Sequence, residues 1–263
     1  MLKKHQPDIG RNVKIGRNVE MEADVVIGDD CVIERNATLY AGTRLGAGVH
    51  VGPGCILGER PRAYYQKLAG FKPKPCVIGA NSVLRAGTII YGDVQIGAHF
   101  ESGPYVSIRE KTKIGHHSRF GNYSDIQGFC SIGNYVAGHS NVTVGQQSRV
   151  ADFVWLHPYV ILLNDWFPPT GLDIRGPVIG RYSVIGAASV IFPGVKLGEH
   201  VIVGAQSAVK KSVKSHRIVS GQPAVEGTDA RKLVTLIKGK AVRPYPWMRH
   251  RKAGYPWEKK QFK

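Results

Sequence analysis

The sequence predicts an all-β protein in which short strands wind into a triangular coil. Large apolar residues recur every six positions along most of the 263 residues, and the next residue is glycine in 17 of the 30 hexads. A small or β-branched residue follows four positions after the large one, and Phe100 is the one large exception within the repeat. Such a hexad is a short strand with one large and one small inward side chain, followed by a turn. Three hexads close a coil of about 18 residues, and successive coils stack about 4.8 Å apart.

The repeat runs in three blocks, at residues 9–57, 78–162 and 179–209. Only Ser102 and Gly138 occupy the large slot without being large and apolar. We therefore predict one coiled domain over residues 1–213, with extended loops at 59–76 and 164–177. A short, partly helical or irregular basic tail is expected over residues 214–263.

The net charge of +17 is concentrated in that tail. Residues 210–263 hold 15 Lys and Arg against 3 Asp and Glu. A basic chain ordinarily suggests nucleic acid, but most of this charge follows the last hexad. The aromatic YPW strings near the C-terminus are expected to dock on the protein's own surface. No segment has the length of a membrane span and no apolar signal core follows the N-terminus, so we expect no membrane insertion and a cytoplasmic location.

The positions of the cysteines predict that they are small, buried core residues. Cys31, Cys55 and Cys130 occupy the small inward slot and Cys76 an equivalent place, without any CxxC pair. The gamma-class carbonic anhydrases, whose coil this repeat resembles, bind zinc through a set that includes two histidines five residues apart. No such pair occurs among His99, His116, His117, His139 and His157, so no metal is expected.

Residues 18 apart stack in columns, and one corner column ends in two histidines. It reads Arg85, Gly103, Gly121, His139 and His157. Imidazoles that replace corner glycines are candidates for a general base. An edge histidine satisfied by its neighbours remains the alternative for each.

The third block carries the clearest family resemblance. The string PVIGRYSVIGAASVIFPGVKLGEHVIVGAQSAVKKSV, followed by GQPA, resembles the acyl-CoA-binding end of the hexapeptide-repeat acyltransferases. That resemblance implies a left-handed parallel β-helix of about ten coils with acetyl-CoA or another short acyl-CoA as donor. It also implies that the backbone at Ala187 and Ala205 receives the pantetheine arm, that Lys210 and Lys211 meet the phosphates, and that Pro223 lies near the adenine. Because most of the net charge follows the last hexad, beside this string, the resemblance implies small anionic ligands and no nucleic-acid partner.

The middle region resembles the bacterial nucleotide-sugar N-acyltransferases, which modify amino deoxysugars for surface glycans. The resemblance implies a homotrimer with sites at subunit interfaces and a dTDP-, UDP- or GDP-linked amino sugar as acceptor. Some members need no side-chain base, so Asp125 or His139 would orient the amine or take its proton. His157, in WLHPYV, is similar to the catalytic histidine of the sugar O-acetyltransferases. The positions expected at the acceptor are Ser124, Asp125, His139, Asn141, Asn164 and Asp165.

The first interruption, ERPRAYYQKLAGFKPKP, joins basic and aromatic residues. Arg62, Tyr64 and Tyr65 are the candidates to hold the nucleotide by charge and stacking. A solvated loop whose aromatic rings pack on the coil is the alternative.

Three other functions stay open. The UDP-N-acetylglucosamine O-acyltransferases of lipid A synthesis share the length, the hexads and a similar insertion. However, Gln127, Gly128 and Phe129 stand where that family has its catalytic histidine segment, and its helical C-terminal domain is not evident. A sugar O-acetyltransferase is the second alternative. The third is a repeat scaffold that binds anionic partners through its tail.

Overall fold

The computed structural model, which describes residues 6–66, 72 and 74–242, is a left-handed parallel β-helix of about eleven turns. The predicted fold class is confirmed. Three parallel sheets form the faces of a triangular coil, and each strand pairs with strands one coil below and one coil above. We call the sheets face 1, face 2 and face 3 in the order in which the chain meets them.

Each face repeats one two- to five-residue strand per coil. Face 1 contains Asp8–Ile9, Val26–Ile27, Thr43–Leu45, Cys76–Ile78, Val94–Ile96, Thr112–Ile114, Ser131–Ile132, Arg149–Val150, Val178–Ile179 and Lys196–Leu197. Face 2 contains Lys14–Ile15, Val32–Ile33, His50–Val51, Val83–Leu84, Glu101–Ser102, Arg119–Phe120, Ala137–Gly138, Trp155–Leu156, Val184–Ile185, Ile202–Val203 and Arg217–Gly221. Face 3 contains Glu20–Met21, Thr38–Leu39, Ile56–Glu59, Ile89–Tyr91, Ser107–Ile108, Asp125–Ile126, Thr143–Val144, Ile161–Leu162, Val190–Ile191 and Ala208–Val209.

Three corners join the faces: the first corner leads from face 1 to face 2, the second from face 2 to face 3, and the third back to face 1. Both predicted loops leave the coil at the third corner, because each follows a strand of face 3. The first loop begins with a short α-helix at Arg62–Gln66. The two interruptions of the repeat therefore project from one edge of the molecule.

The two exceptions in the large apolar slot have one cause. Phe120 is 1% exposed and points inward from face 2, with Ser102 one coil below it and Gly138 one coil above. A Cβ atom at Gly138 would lie 2.4 Å from the Phe120 ring, so only glycine fits there. One large ring thus fills the space of its smaller neighbours, which keeps the core closely packed.

The first corner carries a continuous stack of aromatic rings. Neighbouring ring centroids lie 4.5 to 5.1 Å apart, close to the spacing of about 4.8 Å between strands. Neighbouring planes differ by 3° to 17°. We call this the ring ladder; its members are His99, His117, Tyr135, Phe153, Tyr182, His200 and His216.

The end of the coil is more regular than the sequence indicates. Arg217–Gly221 extends face 2, and Ala224–Asp229 pairs with it antiparallel. A three-residue 3₁₀-helix follows at Ala230–Lys232, and Thr235–Ile237 forms a hairpin with Lys240–Val242. The YPW strings lie outside the described residues, so their predicted docking stays a prediction.

The four cysteines are buried and unpaired as disulfides. Burial raises the pKa of the Cys55 and Cys130 thiols to about 11, and that of Cys76 to about 12. Such thiols are protonated near neutral pH, so they serve as core packing rather than as nucleophiles.

Candidate functional site

His139 and His157 stack on successive coils at the second corner. Each follows a strand of face 2, and the two ring centroids lie 5.8 Å apart with planes 9° from parallel. The backbone N–H of His139 donates to the carbonyl of Leu156, which holds the two coils in register. The prediction that residues 18 apart stack on successive coils is therefore correct for this pair.

A tryptophan supports both imidazoles. The ring centroid of Trp155 lies 5.5 Å from that of His139 and 6.2 Å from that of His157. The guanidinium carbon of Arg119 also lies 5.5 Å from the centroid of the indole. Arg119 and Trp155 face outward on face 2, two coils apart, with Ala137 between them.

Both histidines have a lowered pKa. For His139, the cause is chiefly loss of hydrating water, then the positive charge of Arg119. For His157, loss of water again comes first, followed by repulsion from His139. Both effects disfavour the charged imidazolium. The rings are therefore neutral near pH 7 and able to accept a proton.

Ser124 is a support of this corner rather than part of its surface. Its side chain is buried, and its hydroxyl donates to the carbonyl of His139 over 2.9 Å. The same oxygen accepts the N–H of Val142 at 3.3 Å. The expected contact between Ser124 and an acceptor is thus replaced by a contact with the backbone that carries His139.

Two other predicted acceptor residues lie beside the second corner. Asp125 begins the face 3 strand that follows it, pairs in register with Ser107 and Thr143, and is half-buried. Asn141 is a turn residue of the corner itself, with a φ of 58°. Asparagine tolerates this left-handed conformation better than most residues, so its place also has a backbone reason.

A pocket of about 260 Å³ opens along the second corner, on the N-terminal side of His139. Gly103 and Gly121 contribute backbone to its lining. The guanidinium of Arg85, which lines this pocket, forms an ion pair with the carboxylate of Glu101 at an N···O distance of 2.9 Å. The full lining is Arg85, Glu101, Gly103, Arg119, Phe120, Gly121, Asn122, Gly138, His139 and Ser140.

The predicted cofactor residues divide between two corners. Ala187 and Ala205 lie at the second corner, in the two coils that follow the coil of His157. Pro223 follows Gln222, whose side-chain amide donates to the carbonyl of Gln206 at that corner.

The two predicted phosphate lysines lie elsewhere. Lys210 and Lys211 follow the last strand of face 3, at the third corner, and both are exposed. The ammonium of Lys210 lies 5.1 Å from the centroid of the Phe192 ring. Within one chain, the structure therefore does not bring these lysines to the corner that carries the histidines.

The predicted nucleotide residues also lie at the third corner. The ring of Tyr64 already contacts a cation. The guanidinium carbon of Arg60 lies 4.5 Å from the centroid of the Tyr64 ring and 4.6 Å from that of the Tyr40 ring. Arg62 and Tyr65 are exposed, and the hydroxyl of Tyr65 donates to Glu59 at 3.3 Å. Only Arg62 and Tyr65 thus present an open surface to a ligand.

Asn164 and Asp165 begin the second loop, again at the third corner. The backbone carbonyl of Asn164 accepts the N–H of Arg175, and the Asp165 carboxylate accepts the N–H of Phe167 at 2.8 Å. Both residues shape the loop. Within one chain they do not contact His139 or His157, because a whole face separates the two corners.

Sequence reasoning missed Arg119, Trp155 and Asn122. The signal was available: Arg119, Ala137 and Trp155 are successive members of one 18-residue column on face 2. The small Ala137 leaves room for the arginine to reach the tryptophan. Outward positions of the hexads vary freely in residue type, so the linear sequence does not show the contact between Arg119 and Trp155.

Neither a metal centre nor a membrane span is found in the part of the chain that the structure describes. No group of three or more His, Cys, Asp or Glu side chains there is arranged to hold a metal ion. No helix in the same part is long and apolar enough to cross a membrane.

Family models identify the repeat. Residues 7–41 match the bacterial transferase hexapeptide, and residues 25–59 and 178–210 match the hexapeptide repeat of succinyl-transferase. These matched segments lie in the first and third blocks of the repeat. This confirms the resemblance that the sequence suggests.

The curated relatives of this hexapeptide-repeat protein include acyltransferases. It is 32% identical over 103 residues to a chloramphenicol acetyltransferase from Klebsiella aerogenes, which is 38% of this chain and 48% of that protein. It is 29% identical over 148 residues to the bifunctional protein GlmU from Picosynechococcus, which is 53% of this chain and 30% of that protein. The chain thus matches half or less of the length of these relatives.

A solved structure shares the fold. The UDP-N-acetylglucosamine O-acyltransferase (LpxA) from Moraxella catarrhalis superposes with a TM-score of 0.52 at 19% identity, covering 95% of this chain and 79% of that one. At this identity the likeness concerns the fold, which hosts more than one chemistry.

Proposed function

We propose that this protein is an acyl-CoA-dependent N-acyltransferase that transfers an acetyl or short acyl group to a nucleotide-linked amino deoxysugar. Residues 1–213 would form the catalytic domain and residues 214–263 a basic tail. One observation carries the proposal: the predicted donor positions, two neutral histidines and an open pocket follow one another along the second corner. Ala187 and Ala205 come from the C-terminal side, and the pocket lies on the N-terminal side of His139.

This order suits transfer between two substrates that meet at the histidines. The amine nitrogen of the acceptor attacks the carbonyl carbon of the thioester, and the C–S bond then breaks. His139 or His157 accepts the proton that the nitrogen loses and passes it to the departing thiolate of CoA. A neutral imidazole is required for this step, and the lowered pKa values of both rings supply it.

The residues at the third corner fit a trimeric arrangement. The lysines Lys210 and Lys211, the loop residues Arg62 and Tyr65, and Asp165 cannot reach the second corner of their own chain. A three-fold assembly in which the third corner of one chain meets the second corner of the next would complete the site. The charge at the third corner suits the phosphates of CoA and of a nucleotide sugar.

Transfer to a hydroxyl group is a second candidate. The pair of neutral histidines favours it, because a hydroxyl needs a base more than an amine does. The name of the chloramphenicol acetyltransferase relative also agrees with acetyl transfer. The acceptor pocket and donor positions would be the same in both cases.

A coupled assay tests the proposal. The purified chain is incubated with acetyl-CoA and a panel of dTDP-, UDP- and GDP-linked sugars, each with an amino group or a hydroxyl at the same carbon, and released thiol is measured. We expect thiol release with at least one amino sugar and a rise in melting temperature with CoA. If nucleic acid or another polyanion stabilises the protein while CoA and acetyl-CoA do not, the scaffold function replaces the enzyme.

A further inference from the structure

The pocket beside His139 is lined by two arginines and one carboxylate, Arg85, Arg119 and Glu101, so its charged side chains carry one net positive charge. Arg85 and Glu101 compensate each other through their contact at 2.9 Å. Arg119 lies beside Glu101 in the neighbouring strand of face 2 and is only partly exposed, but among the described residues the ion pair of Glu101 is with Arg85. An unbalanced guanidinium in a concave, half-covered site attracts an anion more strongly than one in open solvent.

Packing holds this guanidinium close to the histidine. Arg119 points outward from face 2, and the small Ala137 above it lets the side chain extend toward Trp155, 5.5 Å from the ring centroid. The His139 imidazole lies against the same indole, at 5.5 Å between centroids. The charge and the base therefore share one support, and stacking on the indole limits the conformations of the arginine.

Neutral donors complete the site. Asn122 and Ser140 line the pocket beside Arg119 and offer an amide and a hydroxyl group. At Gly121 a Cβ atom would lie 2.5 Å from the backbone nitrogen of Ser140, so close packing of the two coils requires glycine there. Several donors around one guanidinium match the several oxygens of a phosphoryl group better than the two oxygens of a carboxylate.

We propose that this pocket binds a phosphoryl group of the acyl acceptor, with Arg119 as its charged ligand. The inference rests on the proposed function and sharpens it. The acceptor is then a phosphorylated compound whose phosphoryl group lies close to the atom that is acylated, since Arg119 and His139 contact the same indole. In this proposal Arg119 determines which acceptor binds, and His139 accepts the proton that the acceptor nitrogen loses.

Titration calorimetry of the full chain with sodium pyrophosphate at constant ionic strength tests the site without any acyl transfer. We expect a binding step that depends on Arg119, with its Kd raised about ten-fold or more in Arg119→Gln and a smaller rise in Arg119→Lys. Arg149→Gln is the matched control, because Arg149 is exposed on face 1. It should bind like the wild type. Equal binding by Arg119→Gln, or an equal loss in Arg149→Gln, overturns the proposal.

Circular dichroism melts establish that the variants are folded, and Arg119→Lys keeps a cation in place if Arg119→Gln unfolds. A second assay compares kcat/KM for an amino sugar with and without its phosphoryl group. The wild type should prefer the phosphorylated acceptor, and Arg119→Gln should lose most of that preference. Transfer without any such preference rejects the phosphoryl site and leaves the proposed function standing. Arg119-dependent pyrophosphate binding without transfer to any acceptor rejects the function and leaves the site standing.

Discussion

The first and second corners both carry stacked histidines, yet they differ in what surrounds the rings. In the ring ladder each imidazole is stacked on a neighbouring ring, and the pairs His99 with His117 and His200 with His216 lie 4.5 and 4.8 Å apart. At the second corner the pair is more widely spaced, at 5.8 Å, and rests on a tryptophan beside an open pocket.

A column of stacked histidines alone therefore does not identify a functional site on a β-helix. Parallel strands about 4.8 Å apart stack any flat side chain at a repeated turn position, so ladders arise from the spacing itself. A functional reading needs a pocket, a charge and a supporting residue besides the column. The second corner has all three, and the ring ladder has continuous packing instead.

The largest expected effect separates the histidines of the two corners. His139→Ala and His157→Ala should each lower kcat/KM, and the one that serves as base by about 10² to 10⁴-fold. His200→Phe, which preserves stacking in the ring ladder, should leave kcat/KM within a few-fold. Steady-state kinetics of the three variants measures this. If both alanine variants keep near wild-type values, side-chain base catalysis at the second corner is wrong.

The next effect concerns the packing beneath the second corner. Gly138→Ala would place a Cβ atom 2.4 Å from the Phe120 ring, and overpacking of this kind costs about 1 to 3 kcal/mol of unfolding free energy. Urea denaturation measures the loss. The double variant Gly138→Ala, Phe120→Leu should recover part of it, because the smaller side chain frees the space. Additive losses in the double variant would contradict this packing.

A pair of equivalent serines isolates the role of the second corner. Ser118 donates to the Gly133 carbonyl at the first corner over 2.8 Å, as Ser124 donates to the His139 carbonyl at the second over 2.9 Å. Each alanine variant should lose about 1 kcal/mol of stability. Only Ser124→Ala should also lower kcat/KM, since it alone supports the backbone of His139. Equal kinetic effects from both would remove that distinction.

The smallest effects are shifts with pH. The lowered pKa of His139 places the acid limb of kcat/KM below 6.5, so activity falls as pH drops through that lowered value. Arg119→Gln removes a nearby positive charge, raises the pKa of His139 and moves the limb to higher pH. A pH-rate profile of wild type and variant records it. A limb that stays in place or moves to lower pH would contradict this electrostatic contact.

At the first corner the same chemistry acts on stability. The pKa of His200 is lowered by burial and by His216. Its unfolded form therefore binds a proton more readily, and the stability contributed by the neutral ring is lost as pH falls below about 6.5. Melting curves between pH 7.5 and 5.5 should show a smaller acid-induced decrease in His200→Phe than in the wild type. An unchanged decrease would show that this ring does not contribute.

The sequence predicts the coil because its period is fixed by geometry. Six residues per face place every large apolar residue inside, and the pair His139 and His157 follows from adding 18. The same period of 18 also assigns each expected site residue to one of two corners. Motifs in the linear sequence do not show that division. Ser124 shows the limit most clearly, since its motif suggests a ligand contact while its small inward slot buries it. The contact between Arg119 and Trp155 needs the conformation of a long side chain, which no period supplies.

A crystal structure with CoA bound would show whether the second corner is the acyl-transfer site. We expect the pantetheine arm to lie along Ala187 and Ala205, with its sulfur within hydrogen-bond reach of His139 or His157. A pantetheine arm bound at the ring ladder, or a sulfur distant from both histidines, would contradict it.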